Sequence, residues 1–382
     1  MILSIAQTPD RFYARRRALV QKLGCPILIA GVSEGPHGYA PVHQEPLFLY
    51  LTGITQPHCV LYADETSDWL ICDDKDYGKE RWEGDRFGAG VDTARVQAYA
   101  GIQHCIAYAD LPAILKNCTR IGLHNTGAAL YHWVAGARVY DITAALWPER
   151  YILDAVDQHD FKQAYAKTDA AWQAFLSQWP TLAGTSETVA TGRLIGELLS
   201  QTPYGLSFPP IVAGGKNALV LHYTTNNASF EANTLVLCDF GLRWRGMCSD
   251  MTRVISTGVM NPLQARLYAI VQAAKDRVTA AAVAGVTLSY LNTLAWDIIN
   301  ASVQALCAET GGICAYERKP HNIGHLIGYE VHEGADYQDK PLHKNMAITI
   351  EPGLYCHVNM RLDGIDYDDA IGIRLEDGCI IA

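Results

Sequence analysis

The hydrophobic and polar positions of this chain change period repeatedly, and each change predicts an element. From Thr8 to Leu23 apolar residues recur at helical spacing among Arg11, Arg15, Arg16 and Arg17, and Gly24 is placed to end a helix. Pro26 to Ala30 is a short apolar run that predicts a strand. Phe48 to Gly53, Cys59 to Tyr62 and Trp69 to Cys72 predict three more, with turn residues between them. Tyr77 to Gly90 is polar and glycine-punctuated. It predicts a solvated loop, of a kind that also reaches sites and partner subunits. Helical and strand segments continue to about Trp147-Pro148, so this half reads as a mixed α/β unit.

A boundary falls at Pro148 to Val156, which divides the chain into residues 1–150 and 151–382. Beyond it Phe161, Tyr165, Thr168, Trp172, Phe175 and Trp179 recur at helical spacing, and Pro180 is placed to end the helix. That stripe reads as core. Ser186 to Ser200 predicts another helix. Strands are expected at Pro210 to Ala213 and Ala218 to Leu221, then a hairpin from the Val236-Leu237-Cys238 run to Ser249–Ile255. Asn261-Pro262 is an N-cap followed by proline at the first helical position. Helices run from there to about Ala284 and from Leu288 to about Ala308. Strands follow at Tyr329 to His332, Met346 to Glu351 and Ala370 to Glu376. Two successive helix-helix-strand-strand units predict a duplicated α+β domain, with a site where its halves meet.

Composition narrows the class. At 382 residues, 49% hydrophobic and 18% charged, the chain reads as a soluble two-domain protein. A formal charge of -10 argues against nucleic acid as a partner and is compatible with a site built from carboxylates. No apolar run is long enough to span a membrane. The N-terminal stretch has no apolar core of a signal peptide. Eleven cysteines occur without a C-x-x-C pair, which fits reduced thiols and a cytoplasmic location.

Candidate chemistry begins in the predicted hairpin. With Trp244-Arg245 as the turn, Asp239 would lie opposite Asp250 with Cβ atoms roughly 5 Å apart. Two bare carboxylates that close repel each other, so a divalent cation between them is one reading; two polar surface residues are the other. Three histidines, His321, His325 and His332, stand within a dozen residues among glycines. Glu351 ends an apolar strand. Gly372, Arg374 and Glu376 share one strand face, and His222 follows another apolar run. Two aspartates, one histidine and two glutamates can hold two metal ions about 3.5–4 Å apart and make hydroxide available near neutral pH. Four oxygen donors and one nitrogen favour Mn²⁺, with Co²⁺ and Zn²⁺ as alternatives. Arg374 would orient a carboxylate or a substrate group, or form a salt bridge within the sheet.

These residues carry a family resemblance. The chain resembles the dinuclear metallopeptidases of the pita-bread (creatinase/aminopeptidase-like) fold, and specifically aminopeptidase P, the Xaa-Pro aminopeptidases. The matching stretches are Gly215 to Tyr223, Asp239-Phe240-Gly241 with Ser249 to Arg253, Gly324-His325 through Val331-His332-Glu333, Ile350 to Tyr355 and Ile373 to Asp377. The N-terminal half is similar as well, from Arg15-Arg16-Arg17 through Tyr50 to Gly53 to Trp82–Gly88. The resemblance implies an α+β catalytic domain at 151–382 behind a smaller mixed α/β domain at 1–150. It implies metal ligands Asp239, Asp250, His325, Glu351 and Glu376, with Asp250 and Glu376 bridging. Glu351 would also handle the proton of the attacking water. His222, His332 and His321 would bind substrate, and Arg374 would support the site. The implied reaction releases the N-terminal residue of peptides with proline second, by attack of a hydroxide bridging two metals. Homodimers or homotetramers are implied, with the Trp82 loop reaching a neighbour. An Xaa-Pro dipeptidase shares these ligands. A non-catalytic peptide-binding relative would lack some of them. Thr225 stands where the family's His-Tyr-Thr-Glu-Asn carries its acidic residue.

Overall fold

A computed structural model describes residues 9–33, 43–124, 130, 132–134, 136–143, 149–334 and 337–382. Thr8, Trp147 and Pro148, which bound predicted segments, lie outside the described residues. The chain divides into two compact units, Met1–Arg150 and Tyr151–Ala382.

In the first unit, helix α1 (Pro9–Leu23) leads into strand β1 (Ile27–Ala30), and α2 spans Pro46–Thr52. Then come β2 (Val60–Ala63), β3 (Asp68–Cys72), α3 (Tyr77–Glu83), α4 (Thr93–Ala100), β4 (His104–Ala107), α5 (Leu111–Leu115), β5 (Arg120–Leu123) and β6 (Arg138–Asp141). Among the described residues the strands form one sheet in the order β4-β3-β2-β1-β5-β6. Strand β2 is antiparallel to both neighbours, and the remaining pairs are parallel.

Two expectations fail here. Phe48 to Gly53 is α2, not a strand. The run is apolar on every side, so its period could not decide; its ends do. The Glu45 carboxylate accepts from Phe48 N–H at 2.6 Å, Pro46 opens the helix, and Gly53 at φ 65° closes it. Within the predicted loop, Tyr77–Glu83 is helical because Asp76 caps Gly78 and Lys79. None of its residues is buried, so it leaves no apolar stripe in the sequence.

The second unit opens with α6 (Ala155–Leu182), capped by Asp154, and α7 (Glu187–Gln201), capped by Ser186. Pro180 lies inside the last turn of α6, and the helix runs two residues past it. Strands β7 (Ile211–Gly214), β8 (Leu235–Phe240) and β11 (Met251–Ser256) form an antiparallel sheet in the order β11-β8-β7. Between β8 and β11 the short pair β9 (Arg243–Trp244) and β10 (Met247–Cys248) closes the hairpin. Phe175, Leu194, Val236 and Phe240 share the core beneath the helices, and Trp172 stacks on Phe240.

The pattern then recurs. Helix α8 (Pro262–Ala281) carries a capping box between Asn261 and Gln264, and α9 spans Leu288–Thr310. Strands β12 (Ile313–Tyr316), β14 (Gly353–Leu362) and β15 (Ile365–Arg374) form the second sheet, ordered β12-β14-β15. Strand β13 (Ala347–Ile350) pairs with β16 (Asp377–Ile380). Leu267, Trp296, Leu354 and Ile373 fill the core between these helices and strands.

Two predicted strands are absent. Gly215–Leu219 is a 3₁₀ turn. The Tyr329–His332 segment is an irregular loop, because Glu333 satisfies it locally: its carboxylate accepts from Glu330 N–H, and its own N–H donates to the Leu326 carbonyl.

Candidate metal centre

The hairpin register differs from the expected one by two residues. Asp239 pairs with Thr252, not Asp250. The turn residues are Arg245 and Gly246, at φ 50° and 96°. Positive φ at both central positions is the type I′ arrangement, which matches strand twist and favours glycine, so Gly246 belongs in the turn rather than in the strand. A two-residue shift preserves period 2, so both aspartates still share a face. Asp250 stands diagonally from Asp239, across from Gly241. An ideal Cβ at Gly241 would meet the Ser249 carbonyl oxygen at 1.9 Å, so only glycine lets the strands close there.

The loop before β13 supplies the histidines. Thr349 N–H donates to the His325 carbonyl, His325 N–H donates to the Thr349 hydroxyl at 3.2 Å, and Glu351 N–H donates to the Ile323 carbonyl. This ladder sets His325 and Glu351 side by side, with His325 Nε2 3.8 Å from Glu351 Oε1 and 3.6 Å from Asp250 Oδ2. Gly324 allows the close approach, since a Cβ there would lie 2.0 Å from the Thr349 carbonyl oxygen. His325 Nδ1 donates to the Leu326 carbonyl at 3.0 Å, which leaves Nε2 bare and facing the carboxylates. Buried Asn292 on α9 holds the loop's start, accepting from Ile323 N–H and donating to Asn322.

Glu376 sits between β15 and β16, where its N–H donates to the Thr252 carbonyl. One donor atom each from Asp250, His325 and Glu376 lie within 4.8 Å of one another. Arg374 Nη2 donates to Asp239 Oδ2 at 2.6 Å, and Nε donates to Thr252 Oγ1 at 3.1 Å. The Thr252 hydroxyl passes on to Glu376 Oε2 at 2.7 Å. Arg374 Nη1 also donates to the Tyr355 hydroxyl, which donates in turn to His321 Nε2 at 3.0 Å. That direction follows because His321 Nδ1 already donates to the Asn322 carbonyl.

Electrostatics shows what the arrangement lacks. Burial, then Asp239 and Glu351, holds the Asp250 carboxyl well above its usual range. Burial and then Asp250 does the same to Glu376. Glu351 is pushed up to about 8 by burial and then by Glu376. Burial works against the charge on Arg374, but Tyr355 and the surrounding carboxylates outweigh it and hold this side chain cationic. Of the four carboxylates, Asp239 is the one paired with Arg374. Asp239 Oδ1 and Glu376 Oε1 are buried without a hydrogen-bond partner among the described residues. Unpartnered buried carboxylate oxygens at this density call for cations, and four oxygen donors with one nitrogen suit divalent ions.

Every predicted site residue lines one cavity of about 860 Å³ within this unit: the five acidic and histidine candidates, with His222, His321, His332 and Arg374. Burial, opposed by the Asn322 carbonyl, lowers His321 to about 4; burial with His325 and His222 lowers His332 to about 4. Both rings are neutral at pH 7. Sequence reasoning assigns no role to three neighbours. Thr252 emerges once the register is correct. Tyr355 and Tyr165 do not: Tyr165 belongs to an apolar stripe, yet its hydroxyl accepts from Asp250 N–H at 3.2 Å across 85 positions of sequence.

Comparison with known proteins fits this geometry. Residues 159–382 match the model of metallopeptidase family M24, and residues 12–122 match that of the aminopeptidase P N-terminal domain. The chain is 27% identical over 354 residues to "Intermediate cleaving peptidase 55, mitochondrial" of Arabidopsis thaliana, covering 88% of this chain and 70% of that one. It is 28% identical over 368 residues to the "Xaa-Pro aminopeptidase" of Haemophilus influenzae, covering 89% and 83%. The solved structure of proline aminopeptidase P II from Yersinia pestis superposes with a TM-score of 0.80 at 22% identity, covering 98% of this chain and 94% of that one. The expected α+β architecture, an aminopeptidase-P-like domain ahead of a pita-bread domain, is the one found. Because the matched stretch spans more than half of its length and contains the whole carboxylate–histidine cavity, the chain belongs to metallopeptidase family M24.

Proposed function

We propose that this protein is a manganese-dependent Xaa-Pro aminopeptidase, releasing the first residue of peptides that carry proline second. The observation that carries the metal-dependent reading is the convergence of Asp239, Asp250, His325, Glu351 and Glu376 on one cavity, with two of their buried oxygens unpartnered. Proline specificity rests on the match of residues 12–122 to the aminopeptidase P N-terminal domain and on the relatives bearing that name. Those five residues would hold two divalent cations; Mn²⁺ suits the donor set, and Co²⁺ and Zn²⁺ are the alternatives. Bound there, such a pair supplies Lewis acidity toward water and the scissile carbonyl.

The chain's own residues do the rest. Glu351 accepts the water's proton on a carboxylate oxygen and returns it to the departing proline nitrogen, which leaves as a secondary amine. The proline amide has no N–H, so the site needs no acceptor for one. His222 and His332 offer ring N–H groups to the developing oxyanion. His321 is fixed by Tyr355 and lines the substrate path. Arg374 fixes Asp239 and is not itself a proton donor.

We further infer that residues 1–150 and 151–382 act as separate domains, N-terminal and catalytic. A homodimer or homotetramer in the cytoplasm is our reading of the assembly. The eleven cysteines are all free, which supports a reducing compartment. No helix of the described residues is long and apolar enough to cross a membrane. Trp82 on α3 is 90% exposed in the single chain, which favours its burial against a second copy. The test sets an Xaa-Pro-Xaa tripeptide beside an Xaa-Pro dipeptide and an Xaa-Ala-Xaa control, with Mn²⁺-loaded protein. Cleavage of the tripeptide before proline with the control intact is expected. Cleavage of the dipeptide alone would replace the reading with a dipeptidase.

A further inference from the structure

His222 lines the cavity from an exposed position and belongs to no strand or helix. Something must hold it in place. The neighbouring backbone leads to Glu187, the first residue of α7, which is fully buried. Its Oε1 accepts from Gly214 N–H at 2.8 Å and from Asn217 Nδ2 at 2.9 Å. Its Oε2 accepts from the Tyr223 hydroxyl at 2.9 Å and from Ala228 N–H at 2.9 Å. Glu187 N–H also donates to the Ala228 carbonyl. Among the described residues every partner of this carboxylate is neutral. Four donors fill its four lone-pair sites, and the N-terminus of α7 favours the negative charge.

The two oxygens hold two pieces of chain. Oε1 holds the end of β7 and the 3₁₀ turn that lead up to His222. Oε2 holds the segment that leaves it. Tyr223 turns into Glu187, while its neighbour His222 lines the cavity beside His321 and His332. We propose that Glu187 is a positioning residue for catalysis: it clamps the Gly214–Ala228 segment through Tyr223 and so sets His222 against the substrate. The inference rests on the substrate-binding role given to His222 above. A neutral acceptor cannot replace the clamp, because glutamine at 187 turns one oxygen into an NH₂ facing two donors.

The experiment is a double-mutant cycle on the Mn²⁺-loaded enzyme with an Xaa-Pro-Xaa peptide. Glu187→Gln and the milder Tyr223→Phe are each made alone and with His222→Ala, and Mn²⁺ affinity is measured for all. In the wild-type background each should lower kcat by roughly ten- to a hundredfold with little change in KM. In the His222→Ala background each should cost less than about twofold, with metal affinity unchanged throughout. Equal losses in the two backgrounds, with His222→Ala itself impaired, would overturn the clamp and leave the functional reading intact. A fully active His222→Ala enzyme would overturn the clamp together with the substrate-binding role of His222, while the hydrolysis itself would uphold the peptidase reading. Tyr223→Phe measures the same coupling should Glu187→Gln fail to fold.

Discussion

Asp239, Asp250, Glu351 and Glu376 crowd a buried site in which Arg374 donates to Asp239. Without metal that crowding opposes folding. Glu351 is pushed up to about 8 from an ordinary 4.5, by burial and then by Glu376, and Asp250 and Glu376 move the same way. A carboxyl whose folded value is raised keeps its proton in the fold after the unfolded chain has released its own. The fold is unpenalised below the ordinary carboxylate range and loses stability as pH rises through the raised value. Metal-free protein should therefore melt at progressively lower temperature, relative to the Mn²⁺-loaded form, between about pH 5 and pH 8.5. Asp250→Asn removes one of the mutually repelling charges. It should flatten that decline in the metal-free protein and abolish peptide hydrolysis in the loaded one, since a neutral amide is a poorer cation ligand than a carboxylate. Thermal melts with chelator and with Mn²⁺ decide it: a gap that is constant with pH would show that the carboxylates are not mutually destabilised.

The hairpin between β8 and β11 shows what a sequence makes legible at the level of elements, and why. Period 2 puts Asp239 and Asp250 on one face, and that survives because the true register differs by an even number of residues. The opposing partner does not survive: turn phase is set by which residues take positive φ, here Arg245 and Gly246. Alanine at 246 keeps the strand pattern and removes the glycine's freedom. Gly246→Ala should cost roughly 1–2 kcal/mol in denaturant unfolding. An unchanged midpoint would mean that the turn does not depend on φ at 246. Other elements are legible wherever apolar spacing meets a cap, as at Asn261-Pro262 before α8. Helix α2 is hidden because its apolar run has no polar side to reveal a period. Helix α3 is hidden because it buries nothing. In the site, Asp239 and Glu351 stand out because each ends an apolar run, Asp250 and Glu376 share strand faces with Asp239 and Arg374, and the family resemblance singles out His325 from its cluster of three histidines. Tyr165, Tyr355 and Glu187 are not legible, since their roles come from contacts 85, 34 and 36 positions away.

The whole molecule carries a formal charge of -10, and even two bound divalent cations, four positive charges, would leave it negative. Substrate peptides therefore approach through a field that favours positive charge. The field acts on encounter more than on chemistry, because the bond being broken lies inside a cavity with its own fixed charges. The contrast is between two peptides that share their first residues, Xaa-Pro, and differ farther along, one carrying lysines and the other glutamates. At low ionic strength kcat/KM should favour the lysine peptide by up to about tenfold, with kcat nearly equal. At about 0.5 M salt, where screening acts over a few ångströms, the preference should shrink toward unity. A preference that persists at high salt would place the discrimination in direct contacts with the downstream residues, and a preference for glutamate would mean that a local basic surface outweighs the molecule's net field.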